Sequence, residues 1–366
     1  MSNFDTLNNE AKESKDPLDK LRIYRQICVQ AQTNPQFRQT MDVKKFLIDS
    51  QEFADIIDQE PKNDKLRIAI LGYKVSMMDK WDPFDIETGL PGSEECAVYA
   101  SQELARRGHK VTLYMNPPDN SIWRSSFSNP RWLPEDFFHL TNNKGYYDFI
   151  LMWRRFDVDT GRKRSRRVFS WVHDSPNPSR IPKDMQFPSF DGICLLSEHH
   201  RKQFLDSWPG FDKVPYIICG NGIVPEQFTE PMRITNPFSI GYYSNYARGL
   251  IVLMLIWPEI KKEFPTATLE IYYGRETWGT MPPDQFNFVL DKMNEYKDLG
   301  VTECGKVGHI QLASAMKRTS VLAYPCLALS ETFCITVVKA QASGMIPVTT
   351  RIAALDETVH RDWNHT

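Results

Sequence analysis

The feature that most constrains the fold is a strand, helix, strand succession that opens at KLRIAILGY, residues 65–73. There a dense run of leucine and isoleucine closes on a glycine, the mark of a buried strand. The following SEECAVYASQELARRGHKVTLYM (93–115) reads as a helix with Ser93 as N-cap, Glu94 and Glu95 in its first turn and Gly108 as its stop. The strand KVTLYM comes directly after it. Two strands joined through a helix require a parallel sheet with a right-handed crossover. The segments YYDFILMW, RVFSWVHD, DGICLLS and VPYIICGNG supply further short apolar strands with polar ends. Those ends are where an open parallel sheet presents its ligands.

Between Phe228 and Phe238 the segment FTEPMRITNPF carries two prolines and no periodicity, which predicts a linker. The alternation then restarts and runs from FSIGYYS, through the helix GLIVLMLIWPEIKKEF, to IPVTT. The expected architecture is α/β, with two Rossmann-like doubly wound domains facing a cleft: residues 64–232 and 233–366. A helical extension, 1–63, precedes them, because apolar residues from Leu18 and Leu21 through Phe46, Leu47, Phe53 and Ile56 recur three or four apart among charges. A length of 366 residues agrees with two domains, since single cores rarely grow past roughly 250 to 300 residues.

Formal net charge is −2, so the chain lacks the global basic field of a dedicated nucleic-acid or membrane-surface binder. The seven cysteines are spread from Cys28 to Cys334 without a Cys-x-x-Cys pair, which reads as reduced thiols and predicts a cytoplasmic protein. The amino-terminal residues are polar and carry no secretory h-region. The longest apolar run, Leu250–Trp257, falls far short of the roughly 20 residues that span a bilayer, leaving only peripheral membrane contact open.

Each short motif has two readings when taken alone. In GLPGSEE the glycines Gly89 and Gly92 precede a helix start, where free N–H groups favour an anion; a plain turn reads the same way. GVTECGKV (300–307) resembles a phosphate loop but has Val307 where a hydroxyl would hold magnesium, and leads into a strand, so it is rejected as an ATPase signal. Asp157 and Asp159 could chelate a cation or simply line a solvated turn, and His199 and His200 lack zinc spacing; no metal is expected. His173 ends a strand and either meets a sugar hydroxyl or is satisfied by backbone. The cluster GRKRSRR carries five cations, a solvated loop or a grip on a phosphorylated acceptor. Arg248 stands just ahead of a helix, either a guanidinium able to grip a diphosphate with two hydrogen bonds or a surface cation that the helix dipole slightly disfavours. LSETFCITVVKAQASGMIPVTT (329–350) puts Glu331 at the mouth of a helix predicted to start at Thr332 and stop at Gly344. An acid there either caps the helix or faces a ligand.

Taken in order, these residues resemble the GT-B fold glycosyltransferases, specifically the large retaining group that uses nucleotide-activated sugars (family 4-like, "glycosyl transferases group 1"). The likeness runs from about residue 66 to 359. GLPGSEECAVYASQELARRGHKVTLY is similar to the group's Gly-Gly-x-Glu helix, VHD to its histidine strand end, and GNGIVPEQF to its Asn-Gly-Val/Ile-Asp-x-x-x-Phe segment. GYYSNYARGL resembles its diphosphate loop, and the segment from Glu331 its Glu-x-Phe-Gly-x-x-x-x-Glu-Ala-x-Ala-x-Gly. The resemblance implies that Glu331 contacts the transferred sugar and His173 lies near it. It implies that Thr332, Phe333, Cys334 and Ile335 offer backbone N–H groups to the distal phosphate, that Arg248 neutralises the diphosphate, and that Gly92 approaches the phosphates and Val307 the base. There are departures: Tyr242 stands where the group has its first diphosphate arginine, Cys334 where it has glycine, and Lys339 where it has the glutamate that accepts the ribose hydroxyls. An ammonium cannot accept a hydrogen bond, so Lys339 is expected instead to replace the lost positive charge. The group's usual final helix, crossing back to the first domain, is expected to be missing after AALDETV.

The expected function is a metal-independent, retaining hexosyl- or pentosyltransferase that needs no cofactor. It moves a sugar from a UDP- or GDP-sugar to a hydroxyl of a glycan, glycoprotein or lipid acceptor. The alternative is a non-catalytic module of the same fold that binds nucleotide sugars or glycans. A dinucleotide-dependent oxidoreductase is disfavoured, because no Gly-x-Gly-x-x-Gly follows either first strand.

Overall fold

A computed structural model describes residues 2–46, 48–50, 64–72, 80–118, 121, 128–135, 137–138, 147–177, 187–208, 210–275 and 281–360. Of the apolar positions expected in the amino-terminal helices, Leu47, Phe53 and Ile56 lie outside these. Helix α1 (Asn3–Glu13) was not foreseen in the polar opening segment; a reciprocal cap between Ser2 and Asp5 starts it, and Phe4, Leu7 and Ala11 give it a narrow buried stripe. Helix α2 (Pro17–Thr33) buries Ile23, Tyr24, Ile27 and Ala31, and α3 (Pro35–Gln39) starts at an Asn34 cap with proline at its first position. Phe37 meets Phe4 edge-on, with ring centroids 6.4 Å apart.

A seven-stranded sheet contains β1 (Arg67–Leu71), β2 (Lys110–Met115), β3 (Arg131–Pro134), β4 (Phe149–Trp153), β5 (Val168–Trp171), β6 (Gly192–Leu195) and β7 (Tyr216–Ile218), in the order β3-β2-β1-β4-β5-β6-β7. A five-stranded sheet contains β8 (Ser239–Tyr242), β9 (Thr268–Tyr272), β10 (Val301–Gly305), β11 (Val321–Tyr324) and β12 (Ile346–Thr349), in the order β10-β9-β8-β11-β12. In both sheets the chain starts in the middle, winds outward, then returns to the other side of its first strand. Right-handed crossovers in this order put helices on both faces and leave a crevice where the order reverses, between β1 and β4 and between β8 and β11. The central strands are apolar almost throughout, as strands covered on both faces must be; β1 is buried over Ile68–Leu71 and β2 over Val111–Met115. Pro347, which has no N–H to donate, sits on the edge strand β12.

The chain divides into two compact units, and it alternates between them. One takes Met1–Asp82, Ala100–Val172 and Met185–Ile193; the other takes Pro83–Tyr99, His173–Asp184 and Cys194–Thr366. Every residue singled out by the resemblance belongs to the second unit. Its longer helices, among the described residues, are the first half of α4 (Gly92–Arg106), then α5 (Glu198–Ser207), α6 (Leu250–Glu263), α7 (Pro283–Glu295), α8 (His309–Met316) and α9 (Ile335–Ala342). Its core gathers Tyr242, Tyr246, Trp257, Leu269, Ile271, Leu322 and Val337, none more than 1% exposed. Each large apolar side chain so buried contributes roughly 1.5–3 kcal/mol.

In the first unit, the cluster GRKRSRR is only partly solvated. Arg162 pairs with Asp191 at 2.7 Å, and the buried Arg164 lies over the rings of Phe138 and Tyr147, 5.0 and 5.1 Å from their centroids. Asp157 pairs with Arg155, which also bonds the Gly72 carbonyl at 2.7 Å. In the Asp-x-Asp segment, Arg155 is thus the partner of Asp157.

Candidate functional site in the second unit

The carboxyl ends of β8 and β11, where the order of the second sheet reverses, carry the two charged residues of the site. After β8 the chain turns through Tyr246–Arg248, capped by the Asn245 side chain, and passes Gly249 at φ 104° into α6. A Cβ on Gly249 would lie 2.0 Å from the Pro325 carbonyl oxygen, so only glycine lets this turn approach the end of β11. Tyr242 is fully buried, and its hydroxyl donates to the Asn245 carbonyl at 2.6 Å. The residue standing where the resembled group has an arginine therefore shapes the turn and contributes no charge.

Arg248 is half-buried and donates to the Ser330 hydroxyl at 3.3 Å. Burial works against its charge, but Glu331 facing it more than offsets that and holds the guanidinium's pKa above the ordinary value. Glu331 accepts from the Tyr324 hydroxyl at 2.7 Å, and its other oxygen lies 3.5 Å from the Phe333 N–H. Burial first, then the neighbouring Cys334 and Glu331, push the Tyr324 phenol well up, so it remains a donor to the carboxylate.

The loop bearing Glu331 is tied from several sides. Ser175 donates to the Ser330 carbonyl at 3.0 Å, Gln203 to the Leu329 carbonyl at 2.8 Å, and Ser197 to the Thr332 carbonyl at 2.8 Å. Thr332 in turn donates to the His173 carbonyl at 3.0 Å, so His173, 6% exposed, meets this loop through its backbone. The Phe333 ring packs on Gly220 so closely that a Cβ there would meet it at 2.4 Å.

The helix begins at Ile335 rather than at Thr332. Cys334, its N-cap, takes φ 67°, a left-handed conformation that turns the chain into the helix. That is a position suited to glycine, and a larger residue there costs about 1–3 kcal/mol. The Cys334 thiol is buried and pushed well up, first by burial and then by Glu331, so it stays neutral. Helix α4 likewise begins at Gly92 rather than after a Ser93 cap; the Ser93 hydroxyl bonds Glu94 at 2.7 Å. The α5 start is capped by a carboxylate from elsewhere, Glu357, which accepts from the Glu198 and His199 N–H groups at 2.8 and 2.6 Å.

Lys339 departs from the sequence expectation of a free positive charge. It is 5% exposed, and its ammonium lies 2.7 and 2.8 Å from the two oxygens of Glu95 and 3.2 Å from His309 Nδ1. An ammonium already neutralised by a buried carboxylate adds little to an anion elsewhere. Burial alone would raise the Glu95 pKa; Lys339 and His309 more than offset this and hold it below the usual carboxylate value. Val307 lies in the same region, its carbonyl oxygen 2.7 Å from where a Gly89 Cβ would stand, and Gly92 packs on Ile335.

The structure thus brings together Arg248, Glu331 and the start of α9, sets Gly92 against Ile335 at that same helix start with Lys339 one turn further on, and holds the Glu331 loop through His173 and Phe333. Sequence reasoning missed Tyr324, Ser330, His309 and the role of Glu95. For Glu95 and Lys339 there was a signal, since each is a charge on an otherwise apolar helix face; for Tyr324, one aromatic among many, there was none.

No family model matches the chain, and no curated protein matches it. Solved structures do. A glycosyltransferase of Rickettsia africae superposes with a TM-score of 0.60 at 13% identity, over 82% of this chain and 83% of that one. Sucrose-phosphate synthase of Thermosynechococcus elongatus gives 0.57 at 15% identity, over 80% and 84%. HepE of Anabaena, solved in complex with UDP and glucose, gives 0.55 at 13% identity, over 81% and 83%. The chain has the GT-B glycosyltransferase fold. At these identities the likeness is one of fold.

Proposed function

We propose that this protein is a retaining glycosyltransferase, moving a hexosyl or pentosyl group from a UDP- or GDP-sugar to a hydroxyl of a glycan, glycoprotein or lipid acceptor without a metal. The observation that carries the reading is the meeting of Arg248, Glu331 and the amino-terminal end of α9 where the strand order of the second sheet reverses. A crevice of that kind suits a diphosphate, because a guanidinium and the N–H groups of a helix start present positive charge without proton transfer. The GT-B fold supports it, as does the UDP bound by HepE.

In this reading the bond from the anomeric carbon to the diphosphate breaks, the acceptor oxygen bonds that carbon on the same face, and a leaving phosphate oxygen takes the acceptor's proton. Arg248 and the N–H groups at Thr332–Ile335 stabilise the departing diphosphate. Glu331, oriented by Tyr324, receives the sugar's hydroxyls as its ring gains positive charge; His173 acts as a neighbour of the sugar, Gly92 of the phosphates and Val307 of the base. Lys339 acts through Glu95 rather than on the phosphate. The domain division at residue 232, with residues 1–63 as an extension, and a cytoplasmic location belong to the same proposal; among the described residues no helix is long and apolar enough to cross a membrane.

A second reading, a binding module without turnover, is favoured by one observation, the neutralised Lys339. Incubation with a panel of UDP- and GDP-sugars, with chromatography of the released nucleotide, separates the two. Released nucleoside diphosphate, lost by about 10²-fold or more in Glu331→Gln, supports the transferase. Saturable binding without release supports the module, and neither binding nor release overturns both.

A further inference from the structure

Three buried titratable side chains of the second unit form a single cluster. The side chains of Glu95, His309 and Lys339 are 2, 4 and 6% exposed and come from α4, α8 and α9. Glu95 Oε1 lies 2.7 Å from the ammonium and 2.9 Å from His309 Nδ1, and Oε2 lies 2.8 Å from the ammonium. His309 Nε2 lies 3.1 Å from the backbone nitrogen of Leu90, two residues before α4, and 3.2 Å from its carbonyl oxygen, so the ring is held between the approach to α4 and the ion pair.

The contacts fix a register. Gly92 opens α4 and Ile335 opens α9, and a Cβ on Gly92 would stand 3.0 Å from Ile335 Cγ2. One turn further along, Glu95 meets Lys339. The two helices therefore start level and run in the same sense. Their amino-terminal ends each carry roughly half a positive charge, so bringing them level is electrostatically unfavourable and needs a restraint. A slip of one turn, about 5.4 Å, would separate the ammonium from its carboxylate inside a dry core. A surface ion pair would hold nothing so firmly.

We propose that Glu95, Lys339 and His309 form a positioning cluster that locks the first turns of α4 and α9 level, so that the N–H groups following Gly92 and those opening α9 face one diphosphate; this rests on the donor reading above. The cluster touches no substrate. Its ammonium is spent on Glu95, and its contribution is the geometry of two helix mouths.

Hydrogen exchange and calorimetric titration with UDP and GDP test this on the full chain, using Lys339→Met, Glu95→Gln and the double variant. In Lys339→Met the stranded carboxylate should loosen both helices, so amides 92–96 and 335–339 exchange faster together; loss confined to 335–339 overturns the coupling. The double variant strands no charge, and should recover the thermal midpoint while its nucleotide affinity stays at least tenfold weaker than that of the unaltered protein. A double variant that binds like the unaltered protein overturns the positioning role and leaves a packing role only. Should Lys339→Met fail to fold, the double variant carries both measurements. If the unaltered protein binds neither nucleotide, the donor reading falls, and the exchange pattern alone decides whether the cluster locks the helices.

Discussion

Replacing Gly249 with alanine perturbs the site through the backbone. The new Cβ would stand 2.0 Å from the Pro325 carbonyl oxygen and 2.6 Å from its carbon, and contacts under 3.0 Å are essentially never seen. The turn bearing Arg248 must therefore move by about 1 Å against main chain, which, unlike a side-chain end, cannot rotate aside. At φ 104° an L-residue also adds strain of about 1–3 kcal/mol, and overpacking adds about 1–3 more. The expected loss is about 2–6 kcal/mol of stability, and a misplacement of this size costs about 10²-fold in turnover. Gly210→Ala is the matched control: φ is 89° there, but nothing lies within 4 Å, so strain acts alone. Urea unfolding of both variants and release of nucleotide from the preferred sugar donor measure the two effects. The reasoning is refuted if Gly249→Ala is no less stable than Gly210→Ala and turns over like the unaltered protein.

Tyr324→Phe removes the donor to Glu331; a hydrogen bond to a charged group is worth about 1.5–3 kcal/mol, so turnover should fall about 10- to 100-fold with the fold intact by circular dichroism. Burial lowers the His200 pKa to about 4 from an ordinary 6.5. The folded state thus resists a proton that the unfolded chain accepts: stability is full above pH 6.5, falls as pH drops toward 4, and loses about 3 kcal/mol in all. Urea midpoints across that window should show the fall, and His200→Gln should flatten it. Native-state alkylation followed by mass spectrometry should label the exposed Cys219 and spare Cys96, whose thiol is pushed up to about 12 by burial and then by Glu95.

The central strands of both sheets were legible in the sequence because each is an apolar run closed by glycine or polar residues. Strand β3 was not: Arg131–Pro134 is four residues long, ends on proline and lacks a leading apolar run, and only its pairing with β2 identifies it. Helix α1 escaped for a related reason, since three apolar residues in eleven leave a stripe too thin to read without its cap. At the site, Arg248 and Glu331 were legible as charges beside predicted helix starts. The start of α9 at Ile335 was not, because a cysteine at φ 67° gives no sequence sign of the turn it makes. Lys339 was visible as an anomaly but misread, since its partner Glu95 lies 244 residues away and no local pattern joins them.

The central claim is spatial, and a crystal structure with bound UDP or GDP tests it most directly. The account predicts the two phosphates between the Arg248 guanidinium and the N–H groups at the start of α9, with Glu331 facing the terminal phosphate's open side. A nucleotide held at the crevice between β1 and β4, or phosphates out of reach of Arg248, would contradict it.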